Sequence, residues 1–220
     1  WKYLADAIIL PWSPGQEGAN AVADVMTGKV NPSGKLPITF PVSFLDHPSS
    51  ANFPSNYVRN NNNNMFRNNG RPAPKVKDVD YTNYEEGIWV GYRYFNTANK
   101  PVSFPFGYGL SYTTFEYSKP SVKTTSDGIV ATITVKNTGK VAGKEAVQLY
   151  VSAPAGGLVK PAVELKGFAK TKELQPGQSE TLTIKVDAYT LASFNEEASE
   201  WQTAAGNYTA KFAANVEDVR

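Results

Sequence analysis

The sequence predicts an α+β chain of two unlike parts, the tail of an α/β domain followed by an all-β sandwich. Three observations predict it. Near the start lies an almost unbroken apolar run, Leu4-Ala5-Asp6-Ala7-Ile8-Ile9-Leu10, with a helical period directly after it. From about Phe115 onward, apolar and polar residues alternate with a period of two in short stretches separated by Gly, Pro and Asn. Between these parts, a Pro-, Ser- and Asn-rich stretch with no periodic apolar face leads into a dense aromatic segment. The expected divisions are 1–50, 51–114 and 115–220.

The 220 residues exceed one average domain of ~150. With 41% hydrophobic and 19% charged residues, the chain has enough apolar surface for a true core, which excludes wholesale disorder. Net charge is +2, and no Lys/Arg cluster follows the pattern of a phosphate backbone, so nucleic acid is not an expected partner. The absence of cysteine excludes disulfides, a thiolate nucleophile and Cys-based metal sites. One histidine, His47, excludes a cluster of imidazole ligands and is expected as a loop residue before Pro48. No metal and no cofactor are expected. No apolar run approaches the ~20 residues of a membrane-spanning helix, and the first residues do not read as a secretory leader. The compartment stays open, with secretion or the periplasm favoured.

The run 4–10 suits a strand buried on both faces of a mainly parallel sheet. Pro11-Trp12-Ser13-Pro14-Gly15-Gln16-Glu17-Gly18 then reads as a helix start, with Ser13 as cap, Pro14 at the first helical position and Gln16 three residues after the cap. Ala19, Val22, Ala23 and Met26 form one apolar stripe, and Gly28 supplies a left-handed end near Thr27. After the turn at 32–35, Leu36 to Phe40 is expected as a short strand. Strand, helix and strand cannot stand alone, because a parallel strand needs hydrogen-bonding neighbours and helices on both faces. Residues 1–50 are therefore expected to complete a larger α/β domain; the competing possibility is a small appendage packed on the rest of the chain.

Residues 47–80, including Asn60 to Asn64, read as a long surface loop, either a flexible insertion or a flap over a site. Asp78-Val79-Asp80-Tyr81 leads into Tyr84 to Phe95, and Phe104 to Tyr112 continues with glycines between large rings. So much aromatic area is expected to form a joint between two domains. Farther on, Ile129, Ala131, Ile133 and Val135 alternate up to the turn at Asn137-Thr138-Gly139. Val147, Leu149 and Val151 form a second inward row. Leu165, Phe168 and Leu174 lie in shorter pieces. Leu182, Ile184 and Val186 follow the turn 175–178, and Tyr208, Ala210 and Phe212 mark the last strand. About seven strands without cysteine describe a fibronectin type III-like (immunoglobulin-like) sandwich, with Trp201 expected in its core.

The motifs converge on a family. Asp6 to Leu10, Pro14-Gly15-Gln16-Glu17-Gly18-Ala19-Asn20-Ala21, Asp24 to Gly28 and Asn31-Pro32-Ser33-Gly34-Lys35-Leu36-Pro37 resemble the end of the second, α/β sandwich, domain of glycoside hydrolase family 3. Glu86 to Phe95, Phe104 to Phe115, Glu164 to Phe168 and Leu174 to Gly177 are similar to the passage into that family's fibronectin-like domain and to the domain itself. The resemblance covers the chain apart from the asparagine-rich stretch. It implies the C-terminal portion of a retaining exo-acting β-glycosidase, most often a β-glucosidase that releases terminal non-reducing β-D-glucosyl residues from β-glucosides or oligosaccharides. It also implies partners, namely the remaining barrel and sandwich domains of the same enzyme. A non-catalytic fibronectin-like module that binds carbohydrate or protein is the competing function.

The resemblance places the aspartate nucleophile on the barrel and the acid/base residue, where it is a glutamate of the second domain, earlier in that domain, so no catalytic residue is assigned in this chain. Glu17 is not assigned as the acid. A carboxylate at a helix start is held in its charged form, whereas a general acid must keep its proton near neutrality. Trp12, Gln16 and Glu17 remain as candidate substrate-side residues: an indole to stack on a sugar face, and an amide and a carboxylate to hydrogen-bond or fix the loop. Their alternative roles are packing and helix capping. Glu85 and Glu86 are neighbours and point to opposite faces, so they cannot act as an acid/base pair; one is expected to pair with Arg93 or another cation at the joint. The sequon Asn207-Tyr208-Thr209 falls in an expected strand and reads as chance, while Asn31-Pro32-Ser33 is disqualified by its proline.

Overall fold

The structure, a computed structural model, describes residues 2–51 and 84–220. Its core is the sandwich. Strand β3 (Phe115–Thr125) pairs with β4 (Gly128–Asn137), which also pairs with β7 (Ser179–Asp187), giving one antiparallel sheet. The second sheet has the order β11 (Asp218–Val219), β10 (Thr209–Asn215), β5 (Ala146–Ser152), β6 (Glu164–Lys170). The alternation read in the sequence places Ala131, Ile133 and Val135 from β4 against Val147 and Leu149 from β5, with Leu182, Ile184 and Val186 from β7 and Phe212 from β10. Ile133 and Leu149 are at most 1% exposed. Burying each such side chain contributes about 1.5–3 kcal/mol before entropy is subtracted.

Asn137 closes β4 and satisfies its whole carboxamide inside the protein. Its Oδ1 accepts from the Thr113 hydroxyl (2.7 Å) and the Gly139 amide (3.0 Å), while Nδ2 donates to the carbonyls of Val141 and Leu174 (2.8 Å each). A further hairpin, β8 (Ser193–Asn195) with β9 (Glu200–Gln202), lies outside both sheets after the short helix Ala188–Leu191. Trp201, expected in the core, is 50% exposed on this hairpin, where it packs on Phe194 and Tyr189. The reason is that its strand pairs with β8 in a two-stranded hairpin separate from both sheets. The last strand expected from the sequence begins at Thr209 rather than Tyr208, and β11 adds a short edge after it.

The amino-terminal part is different in kind. Helix α1 (Gly18–Met26) is present, ending at Gly28 with φ +75°, the left-handed end the sequence called for. It starts four residues later than expected, and Ser13 caps nothing. Gly15 turns the chain at φ +72° and its carbonyl takes the Gly18 amide (3.2 Å), so a backbone turn satisfies the first donor. The stripe Ala19, Val22, Ala23, Met26 is not buried among the described residues: Val22 alone is half-covered and Met26 is exposed. The expected strand at 36–40 shrinks to β1 (Phe40–Pro41), paired with β2 (Val102–Phe104).

The opening apolar run is a larger departure. Residues 4–10 form no strand; a turn of 3-10 helix covers Lys2–Leu4, and Ile8, Ile9 and Leu10 stay 46%, 44% and 43% exposed. A strand exists only through its hydrogen-bonding neighbour, and no described element offers one to this segment. Trp1, Asn60 to Asn64 and Asp78 to Tyr81 lie outside the described residues.

Candidate functional site

Two places carry the candidate side chains and the contacts that position them: the joint that ties the amino-terminal part to the sandwich, and the exposed loop that carries Trp12, Gln16 and Glu17.

The joint is built on the outer face of the β11-β10-β5-β6 sheet. There Tyr150, Ala213 and Val216 are buried beneath Tyr92, Phe106 and Leu165. Tyr92 opens α2 (Tyr92–Thr97), stacks on Phe106 with ring centroids 4.6 Å apart, and accepts the Leu165 amide on its hydroxyl at 2.8 Å. Gln148 spans the contact, its Nε2 donating to the carbonyls of Gly107 (3.1 Å) and Ala214 (2.8 Å) while its Oε1 accepts from Tyr150 (2.6 Å). Gly107 has φ +81°, and a Cβ there would collide with the Gln148 amide, so the approach requires glycine. Phe95 is also buried, with His47 edge-on to it at 5.5 Å. His47 is thus a half-buried packing residue rather than a loop residue in solvent.

Two polar clasps lock the joint. Asn31 donates to the carbonyl of Ala142 (2.9 Å) and accepts from the Ser111 hydroxyl (3.0 Å) and the Tyr112 amide (2.8 Å). Lys35 lies 3.4 Å from Glu145 with both side chains largely buried, and Tyr117 donates its hydroxyl to the same carboxylate at 2.8 Å. Burial, reinforced by the charge of Glu145, pushes the Tyr117 hydroxyl far above the usual tyrosine range. Arg93 pairs with Glu164 (3.2 Å), which also holds Lys166 (3.1 Å), rather than with Glu85 or Glu86. The aromatic run predicted a joint, but these clasps carry no sequence signal, because Asn31 and Ala142 are 111 positions apart. Two oxygens of this part, Glu86 Oε2 and Thr39 Oγ1, are buried with no hydrogen-bond partner among the described residues.

The loop is fixed by small residues and proline. Pro14 packs so closely on Gly18 that a Cβ on Gly18 would overlap the ring. Glu17 takes the position before the first helical residue but makes no side-chain cap; its Oε2 accepts from Asn20 Nδ2 at 2.6 Å. Gln16 and Glu17 are exposed, and so is Trp12, at 52%. Trp12 also has φ +54°, an uncommon backbone state for a large side chain. The structure therefore brings the three candidates onto one exposed loop and buries none of them. Among the described residues, no three His, Cys, Asp or Glu side chains are grouped to hold a metal ion, and no helix is long and apolar enough to cross a membrane.

Residues 1–112 match the family model described as the glycosyl hydrolase family 3 C-terminal domain, and residues 145–215 match the fibronectin type III-like domain. Among curated proteins, the chain is 38% identical to Beta-glucosidase B of Emericella nidulans over all of its own length and 25% of that protein. It is 42% identical to a Beta-glucosidase of Ruminococcus albus over 94% of its length and 20% of that protein. Among solved structures, beta-glucosidase 3B from Thermotoga neapolitana in complex with glucose superposes with a TM-score of 0.82 at 41% identity, covering 100% of this chain and 28% of that one. Beta-glucosidase from Kluyveromyces marxianus, also solved with glucose, gives 0.85 at 37% identity, covering 100% and 24%. The chain thus spans about a quarter of the length of the relatives it matches.

Proposed function

The chain belongs to glycosyl hydrolase family 3, and from this premise we propose that it acts as the C-terminal portion of a retaining, exo-acting β-glucosidase. The observation that carries the reading is likeness along the whole chain, at 37–42% identity, to proteins named β-glucosidase, two of them solved with glucose. Retention needs two carboxyl groups ~5–5.5 Å apart, one attacking the anomeric carbon and one giving and then recovering a proton. Both are assigned to parts of the enzyme outside this chain. The chain itself supplies the fibronectin-like sandwich, the joint and the loop 11–18.

The amino-terminal part completes an α/β domain whose other members meet the exposed Ile8, Ile9 and Leu10. Two further features support that partnership. Glu86 Oε2 and Thr39 Oγ1 are buried without a partner among the described residues, and buried polar atoms ordinarily have partners. The apolar surface of α1 is also left uncovered by the described residues. In the assembled enzyme, Trp12 offers its indole to a sugar face, and Gln16 and Glu17 border the pocket as hydrogen-bonding groups.

The test is complementation. The 220-residue chain alone is expected to leave an aryl β-glucoside intact, and mixing with a chain that carries the barrel and the rest of the sandwich domain is expected to restore turnover. Activity of the chain by itself, or no recovery on verified association, overturns the assignment. In the complete enzyme, Glu17→Gln is expected to raise KM or lower kcat without abolishing it; a loss as deep as removing the nucleophile would make Glu17 the acid.

A further inference from the structure

The sequon Asn207-Tyr208-Thr209 reads as chance if it lies inside a strand, and the structure removes that objection. Strand β10 starts at Thr209, so Asn207 and Tyr208 belong to the preceding turn. Asn207 is exposed and its carboxamide bonds to no other described residue, which leaves Nδ2 open to solvent. Gly206, at φ +138° and close against Pro154, turns the chain outward just before it. Tyr208 is tied down by its hydroxyl bond to the Ala204 carbonyl (2.9 Å), and Thr209 is exposed opposite Ser152 of β5. Both the acceptor amide and the hydroxyl needed two positions later are therefore presented at the surface, between anchored neighbours. It is the one Asn-x-Ser/Thr triplet of the chain without a central proline.

We propose that Asn207 is an acceptor site for N-linked glycosylation, and that the folded sandwich tolerates the glycan because it projects from the end formed by the 203–208 turn and the loop after β5. The donor is a lipid diphosphate-linked oligosaccharide, acted on by an oligosaccharyltransferase. The Asn207 Nδ2–C1 bond forms as the C1–O bond to the diphosphate breaks; the lipid diphosphate leaves, and the amide gives up one proton to the transferase base. No oxidation state changes. This inference is independent of the proposed hydrolase role, since it concerns a surface on the sandwich alone.

The experiment directs the 220-residue chain into the secretory pathway of a yeast host behind a cleavable leader and examines lumenal and secreted material together. One slower gel species is expected, collapsing on peptide-N-glycosidase treatment with Asn207 converted to Asp in the peptide mass. Asn207→Gln and Thr209→Ala are expected to abolish the shift, and Thr209→Ser to retain it at lower occupancy. Glu197→Asn, which adds a second sequon in the exposed β8–β9 turn, serves as control for access to the transferase. Leader-processed chain modified at the control position but unmodified at Asn207 overturns the proposal, as does a shift that survives Asn207→Gln.

Discussion

The two regions of this molecule hold themselves in opposite ways. In the sandwich, every strand of the two sheets finds its partner within residues 115–220, and the inward rows of β4, β5, β7 and β10 bury one another almost completely. In the region of residues 2–51 and 84–112, strands are two or three residues long, and large apolar side chains from Leu4 to Leu10, at Phe44, Leu45 and Leu110 face outward. That region has few contacts of its own to lose and is positioned chiefly by the joint. Apolar composition is thus a poor guide to stability until the surface that covers each side chain has been identified.

A pair of truncations separates the two regions most strongly. Ile133→Ala is expected to cost the 220-residue chain about 4 kcal/mol in urea unfolding, because it opens a cavity in a fully packed core. Ile9→Ala in the same chain is expected to stay within about 0.5 kcal/mol. An equal loss from both would mean that the amino-terminal segment is packed in solution after all. Next in size is Asn137→Ala, at about 2–3 kcal/mol, since it leaves the buried Thr113 hydroxyl and two carbonyls without a partner. Asn31→Ala, scored by limited proteolysis, is expected to speed cleavage in 2–51 while the sandwich melts as before.

The pH responses are smaller and arise in the sandwich and at the joint. Burial raises Tyr92, Tyr117 and Tyr150 above their ordinary value of 10.0, so the folded state keeps protons that the unfolded chain gives up. Their contribution is complete below pH 10 and is lost progressively above it, and Tyr117→Phe is expected to flatten that alkaline decline. Asp187 behaves oppositely. The Thr190 amide bonded to its side chain at the start of α3 (Ala188–Leu191) lowers its value, so its contribution is present above the unfolded carboxylate range and fades as pH falls through the folded one. Asp187→Asn is expected to remove that small acid-side slope from the melting profile.

What could be read from the sequence follows the same division. The alternation at 129–135 and 182–186 was legible because both faces that it implies lie in this chain. The Leu4 to Leu10 run was legible as apolar, but strand formation depends on a neighbour, and none of the described residues provides it. Trp201 misled because burial is the usual fate of tryptophan, whereas a cross-strand partner and Tyr189 suffice to hold it on an isolated hairpin. The helix start shifted because a glycine turn satisfied the donor that Ser13 was expected to cap. Trp12, Gln16 and Glu17 could be singled out as a group from the motif alone; the left-handed backbone at Trp12 could not, since nothing in its side chain favours it.

The Asn31 clasp also bears on the order in which the molecule assembles. It joins positions 111 residues apart, and closing so long a span is entropically slow compared with zipping the hairpin of β3 and β4. The sandwich should therefore condense first and act as a template onto which the amino-terminal segment is fastened late. A chain stalled before that step would be half native and half accessible, the state in which a cell's proteases would find it.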